Sequence, residues 1–388
     1  MKKILFFVYG DLFPIDAGNK RLIVEILSYL MRSQCFYITL VIVCAEAHNR
    51  TELEKLCHRL ILLKEPRESF LLHAISYPFI KSRITTLQLL IFGRKLRRML
   101  KQEFPHHTYA IINYVSWYHL IPPNYLARSL VITHDLQFFR EKSFAGDTPS
   151  LLQKFHIYLN RISELRVLKK FKKVIILADY EYKILSDLSF PMQKVTKIGM
   201  PLSPMDLPFL SVCSFDFLMV GGNSLQNESG LRFFFEKVLP LVNTNHSNVT
   251  IAIAGGLSSS SFCQSIAQTY HGLKLLGYCN NLDQIYAQSK IVISTPIYGS
   301  GIKVKTVEAM LYGKCVLSNN KGLEGIPWTV DSVINMDHYS EKELAVLLKD
   351  LLNNQKLREK YGQVAKTLLS QEFAPENTLK YLLQDLSA

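Results

Sequence analysis

Short apolar runs alternate with segments of helical spacing along the whole chain, and this alternation admits one main architecture: parallel sheets covered by helices on both faces. In the first half the predicted strands are Lys3–Tyr9, Tyr37–Cys44, Arg59–Leu63, Tyr109–Tyr114, Ser129–Thr133 and Lys173–Leu177. Helices are predicted between them at Gly18–Arg32, Thr51–His58, Leu87–Gln102, Leu151–Lys170 and Tyr180–Leu188. The second half repeats the pattern, with strands at Phe215–Val220, Val249–Ala254, Leu273–Leu276, Lys290–Ser294 and Cys315–Ser318. Its predicted helices are Glu228–Val242, Ser260–Tyr270, Leu282–Gln288, Val304–Tyr312, Glu341–Leu352, Lys356–Leu369 and Pro375–Leu386.

The 388 residues suit two domains of ordinary size. Between the halves lies GMPLSPMDLP (residues 199–208), where three prolines preclude a helix or a central strand. Charge changes at the same place. Residues 1–200 hold 30 basic and 16 acidic side chains, a net +14, whereas residues 201–388 hold 15 and 16, a net −1. The expected division is a Rossmann-like domain over residues 1–200, a second over 201–370, and a terminal helix at 371–388 packing back on the first. Ligands of such sheets bind at the carboxyl ends of the strands, so a cleft between the two is the expected site.

Seven scattered cysteines with no CxxC pair suggest neither a disulfide framework nor a zinc site, and a reducing cytoplasm is the expected compartment. The opening MKKILFFVYG resembles a signal peptide, but its apolar run meets Gly10, Asp11 and Pro14 early and reads as a buried strand. No apolar stretch approaches the roughly 20 residues that span a bilayer. The basic excess agrees with nucleic acid, a membrane surface or an acidic ligand.

The segment most informative about chemistry is KIVISTPIYGSGIKVKTVEAMLYGKCVLSNNKGLEGI, residues 290–326. A strand leads into a loop with Gly299, Ser300 and Gly301, and then into a helix. Glycines before a helix let a ligand approach the backbone, and the free amides and positive dipole end attract anions. Lys303 and Lys305 add mobile positive charge, while Glu308, one turn inside, is placed to accept hydrogen bonds from vicinal hydroxyls. Phosphate and ribose together suggest a nucleotide. The plainer reading is loop punctuation with a solvated Lys305–Glu308 surface pair. Glycine or polar loops also end the other predicted strands, at Gly221-Gly222-Asn223, Gly255-Gly256 and Gly277-Tyr278. No GxGxxG or Walker sequence is present.

These residues resemble retaining glycosyltransferases of the GT-B fold, in particular the family-4 group of glycosyl transferases group 1 type. The matching strings are FLMVGGNSLQNESGLRFFFEKVLPLV, VTIAIAGG, LKLLGYCNNLDQIYAQSK with the segment quoted above, and in the first half VITHDLQ and SELRVLKKFKKVIILADYEYKIL. The resemblance implies an α/β GT-B protein in which Glu308 holds the nucleotide ribose. Lys305 and the amides of Gly299, Ser300, Gly301 and Ile302, with Lys303, would face the diphosphate and donor sugar. Gly222 and Asn223 would match the glycine-rich turn at the diphosphate, although the Arg and Lys that many members carry there are missing. Tyr278 and Cys279 would lie near the base, Gly18 in the loop that closes over the phosphates, and His134 at the donor sugar. One departure stands out: the first acid of the family's E-x7-E arrangement is Ser300 here.

The implied activity is transfer of a sugar, with retention and no required metal or other cofactor, from a nucleotide-diphosphate sugar to a saccharide or lipid-linked acceptor in polysaccharide or glycolipid synthesis. A nucleotide-sugar epimerase and an inactive, donor-binding partner subunit are the rival readings. His106, His107 and His48 lack metal-ligand spacing and read as surface residues. Tyr9, Tyr114, Trp117 and Tyr118 follow strand ends and could stack on an acceptor sugar or simply pack. Residues 70–104 mix apolar residues with Lys81, Arg83, Arg94, Lys95, Arg97, Arg98 and Lys101. With Lys169-Lys170 and Lys172-Lys173, they read either as an anionic-membrane contact at the inner face or as a core helix with a solvated basic edge. No nucleic-acid-binding module accompanies the charge.

Overall fold

A computed structural model describes residues 1–15, 18–44, 47, 49–64, 93–146, 148–207, 213–242, 249–279 and 282–387. Expectations for His48, Lys81 and Arg83 lie outside these residues. The chain divides into two compact units, one of residues Met1–Pro201 with Thr378–Ala388 and one of residues Leu202–Asn377.

The first unit holds a parallel seven-stranded sheet: β1 (Lys2–Tyr9), β2 (Phe36–Cys44), β3 (Arg59–Lys64), β4 (Tyr109–Asn113), β5 (Ser129–Ile132), β6 (Lys173–Ile176) and β7 (Val195–Lys197). Its order is β3-β2-β1-β4-β5-β6-β7. In β1, Ile4 to Val8 are all buried, as a strand covered on both faces requires. The helices used below are α1 (Gly18–Ser33), α2 (Arg50–Lys55), α3 (Gly93–Glu103), α4 (Gln137–Ala145), α5 (Leu151–Leu168) and α6 (Asp179–Asp187). Neither β7 nor α4 carries enough apolar periodicity to be predicted.

The second unit repeats the same winding with β8 (Phe215–Val220), β9 (Ile251–Ala254), β10 (Leu273–Gly277), β11 (Ser289–Ser294), β12 (Cys315–Ser318) and β13 (Ile334–Asn335). The order is β10-β9-β8-β11-β12-β13, all parallel. Helix α7 (Leu225–Phe233) runs through a π-helical turn at Phe234–Val238 into Leu239–Val242, where the sequence suggested one regular helix. Pro240 explains the change: it lacks an N–H and its ring clashes with the carbonyl four residues back, which a widened turn relieves. Then follow α8 (Ser261–Thr269), α9 (Leu282–Ala287), α10 (Val304–Leu311), α11 (Glu341–Asn353) and α12 (Gln355–Glu372). Because α12 packs in this unit, the boundary falls at Asn377 and not at residue 370.

The terminal helix, α13 (Lys380–Ser387), is separated from a short helical turn at Pro375–Thr378 and is not continuous with it as predicted. It sits on the first unit, with Leu382 and Leu386 buried and Asp385 Oδ1 2.8 Å from Lys173 Nζ. Lys172 Nζ also donates to the Asp385 carbonyl at 3.0 Å. Part of the basic cluster at residues 169–173 is thus occupied by the chain itself. Among the described residues, no helix is long and apolar enough to cross a membrane.

Candidate functional site

In both sheets the chain winds outward from a central strand in two directions, which opens a crevice at the carboxyl ends where the order reverses. In the second unit the reversal lies between β8 and β11. Their ends carry Gly221-Gly222-Asn223 and the loop of residues 295–303, and that loop reaches the start of α7, which follows the glycine turn: a Cβ on Gly299 would lie 2.7 Å from the Gln226 side chain. Gly299 and Gly301 have φ of +99° and +81°, open to glycine at little cost. Gly255 at the end of β9 is required more strictly, since its Cβ would stand 2.4 Å from the Gly221 carbonyl oxygen. Gly222 and Asn223 are exposed above this glycine floor, and Asn227 Nδ2 donates to the Gly222 carbonyl at 2.9 Å.

The loop after β11 is fixed from below. Thr295 Oγ1 donates to the Gly230 carbonyl at 3.0 Å and Asn319 Nδ2 donates to the Pro296 carbonyl at 3.0 Å. Ser294 and Thr306 share a hydroxyl–hydroxyl bond of 2.6 Å that ties β11 to α10. Every side chain from Thr306 to Leu311 is buried, Glu308 included at 4% exposure. Its Oε2 lies 2.8 Å from Lys305 Nζ. A carboxylate so far from water needs a partner, so the pair is not the solvated surface contact that spacing allowed.

Lys303 departs from expectation. It is buried, donates to the Gly301 carbonyl at 2.6 Å and stands 4.0 Å from Glu324 Oε2. It therefore props the glycine loop and does not offer mobile charge, which leaves Lys305, partly exposed, as the more accessible of the two lysines at the start of α10. Ser300 and Ile302 lie in the loop, partly exposed. Tyr278 follows β10 and is 58% exposed, with Cys279 Sγ donating to the Gly277 carbonyl at 3.5 Å.

The first unit gathers a separate set. Gly18 opens α1, and the next residue, Asn19, hydrogen-bonds the Tyr114 side chain. The Tyr114 ring stacks on His134 with centroids 4.3 Å apart. Tyr114 follows β4 directly with φ of +69°, which is why that strand stops one residue before its predicted end, and His134, with φ of +59°, turns the chain one residue beyond Thr133, the predicted end of β5. Sequence reasoning missed Asn113, whose Nδ2 donates to the Phe7 carbonyl at 3.0 Å and whose Oδ1 meets His134 Nε2 at 3.1 Å. The amide orientation makes Oδ1 an acceptor, so His134 carries its proton on Nε2 and its lone pair on Nδ1. Burial pushes the His134 pKa down to about 3, so the ring is a neutral hydrogen-bonding group at physiological pH. The only signal for Asn113 was a polar residue ending an apolar run. Tyr9 stacks on Trp117 at 4.1 Å in the same crevice.

Two buried glutamates support this corner. Glu164 accepts from the amides of Gln137 and Phe138 at 3.0 Å each, holding the first turn of α4. Glu181 Oε2 accepts from the amides of Leu177 and Ala178 at 3.0 Å each, while Oε1 is buried with no hydrogen-bond partner among the described residues. Burial raises their pKa values to about 7 and about 8. A glutamate raised above its ordinary 4.5 contributes stability below that pH, and the contribution is lost as pH rises through the folded value. Glu181→Gln keeps an acceptor for both amides and removes the titration. Its Tm relative to wild type is expected to rise between about pH 4.5 and about pH 8, by at most about 1.4 kcal/mol of stability per pH unit. A difference independent of pH would refute the assignment. His107, expected at the surface, is buried and bonds the Glu103 carbonyl at 2.7 Å and Thr39 Oγ1 at 2.9 Å.

Two tandem Rossmann-like sheets are the fold of the GT-B glycosyltransferases, and comparison with solved structures agrees over the full chain. Sucrose-phosphate synthase from Thermosynechococcus elongatus superposes with a TM-score of 0.67 at 12% identity, covering 99% of this chain and 98% of that one. Anabaena Alr3699/HepE, solved in complex with UDP and glucose, gives 0.68 at 13% identity with all of both chains covered. A mutant of S. aureus TarM, in complex with Fondaparinux, alpha-GlcNAc-glycerol and UDP, gives 0.70 at 11% identity, again over both whole chains. Residues 214–354 match the family model described as Glycosyl transferases group 1. That span contains the glycine floor, the β11 loop, Lys305 and Glu308. No curated protein sequence matches the chain.

Proposed function

We propose that the protein transfers a sugar from a nucleotide-diphosphate sugar to a saccharide or lipid-linked acceptor, with retention, in bacterial polysaccharide or glycolipid synthesis. The observation that carries this reading is the start of α10: a glycine loop, the partly exposed Lys305 and the buried Glu308, all at the reversal point of the second sheet. Glu308 holds the ribose hydroxyls of the donor, and the diphosphate lies on the loop from Gly299 to Ile302 opposite Gly222 and Asn223. Tyr278 is the surface for the base.

Cleavage of the anomeric C–O bond develops positive charge on the sugar and negative charge on the leaving diphosphate. The loop amides, the helix dipole and Lys305 stabilise the latter with no metal needed. The leaving phosphate oxygen takes the acceptor hydroxyl's proton as the new glycosidic bond forms on the same face. His134, neutral and fixed by Asn113 and Tyr114, serves as a hydrogen-bonding group toward the donor sugar, not as a general acid or base. Gly18 belongs to the loop that covers the phosphates.

Ser300, in place of an acid, favours one rival: a partner subunit that binds the donor without turning it over. A panel of nucleotide sugars, beginning with UDP-glucose because UDP is bound in the Anabaena neighbour, tests both readings. The cognate donor at a hundredfold excess over Kd is expected to add about 2.7 kcal/mol of stability, a Tm rise of roughly 5–10 °C. Release of nucleoside diphosphate with a cell-derived acceptor identifies the enzyme. Donor-induced stabilisation with no release identifies the inactive partner, and no stabilisation by any donor rejects the site.

A further inference from the structure

We infer that the amino-terminal half of α5 is a docking surface for an anionic lipid bilayer. The helix starts on a complete capping box: Ser150 Oγ accepts from the Gln153 amide and Gln153 Oε1 accepts from the Ser150 amide. Such a cap fixes a helix end that has little else to hold it. Beyond it, Leu151, Leu152 and Phe155 are 84%, 82% and 61% exposed, and Tyr158 and Leu159 are exposed as well. Leu151, Phe155 and Tyr158 fall at i, i+4 and i+7, with Leu152 and Leu159 alongside, so the five make one continuous stripe. The opposite face, through Val167 and Leu168, is the one buried in the core of the first unit. An uncovered apolar stripe of this size marks an interaction surface.

Charge selects the occupant. Lys154 and the half-buried Arg161 line one edge of the stripe, and toward the carboxyl end the same azimuth passes into the exposed Arg166 and Lys169. Apolar residues bordered by cations match the boundary between acyl chains and anionic headgroups. A second copy of this chain would bring like charges together, in the half of the sequence that carries net +14. The basic helix α3 is a weaker candidate, because Leu96 and Leu100 on its apolar side are already buried in the core, and the exposed residues described on it, Arg97, Arg98, Lys101 and Gln102, are all polar. The inference does not depend on sugar transfer, since vesicle binding requires no turnover.

The test is co-sedimentation of the full chain with phosphatidylcholine vesicles that contain or lack phosphatidylglycerol. Wild type is expected to bind the anionic vesicles. The exposed triple variant Leu151→Glu/Leu152→Glu/Phe155→Glu is expected to lose at least about tenfold in affinity at unchanged Tm. Lys154→Glu/Arg161→Glu is expected to weaken binding and flatten its salt dependence. The inference is overturned if the triple variant binds like wild type, or if only Arg97→Glu/Arg98→Glu abolishes binding. It is equally overturned if wild type ignores vesicles, whether it is a monomer or a dimer that the triple variant dissociates; in the latter case the stripe is a contact between copies.

Discussion

Replacing Glu308 by glutamine is expected to weaken binding of the cognate nucleotide sugar by about 10- to 100-fold while leaving the second unit folded. The magnitude is that of one or two hydrogen bonds to a charged acceptor, about 1.5–3 kcal/mol each, of which the neutral amide keeps only part. Glutamine has nearly the same shape, so packing around Thr306 to Leu311 is retained. Lys305 loses its 2.8 Å partner, but its side chain is 26% exposed and water compensates part of that loss, so a fall in Tm of a few degrees is the most this change should bring. Donor titration and thermal melting together separate the roles. Unchanged donor affinity would remove Glu308 from the site, and collapse of the fold would make the pair a structural one. Lys305→Met completes the test, because it strips positive charge from the diphosphate side and strands a buried carboxylate. It should reduce both donor binding and stability.

Gly362→Ala is expected to destabilise the second unit by about 2–4 kcal/mol, a Tm loss of roughly 5–12 °C. Sequence reasoning points the other way, since alanine in the interior of a helix such as α12 ordinarily gains about 0.5–1 kcal/mol over glycine. The geometry reverses the sign. A Cβ at Gly362 would stand 1.9 Å from the carbonyl oxygen of Gly313, the residue that closes α10 with φ of +68°. Backbone cannot yield as a side chain does, so α12 would have to move away from α10. Because α10 carries Lys305 and Glu308, displacement at its carboxyl end should also reduce donor binding. A rise in Tm of a degree or two would show that the two helices separate at no cost.

The doubly wound architecture was legible because buried parallel strands read as unbroken apolar runs, and Phe215–Val220 and Cys315–Ser318 fall where the runs end. The end of β4 was misplaced by one at Tyr114, since a positive φ at a non-glycine residue leaves no mark in composition. The short β7 and β13 were missed: each gains its strand character from a neighbour already in place, not from its own pattern.

The candidate site divides along the same line. Glycines before a helix, a lysine and an acid one turn in are local features, and their spacing along Gly299 to Glu308 placed them in advance of any tertiary structure. Which lysine is presented and which is consumed was a tertiary decision. Lys303 and Lys305 are alike in sequence, yet the fold turns one onto Gly301 and Glu324 and leaves the other beside Glu308. In the first unit, Asn113 and Tyr114 reach His134 only because β4 and β5 are adjacent. The sequence by itself determined periodicity, the strand-to-helix loops and the charge difference between halves, because these depend on neighbours along the chain. Burial, the partner of each charged group and the exposed stripe of α5 were settled by the tertiary structure, because they depend on which surfaces the packed elements leave to water.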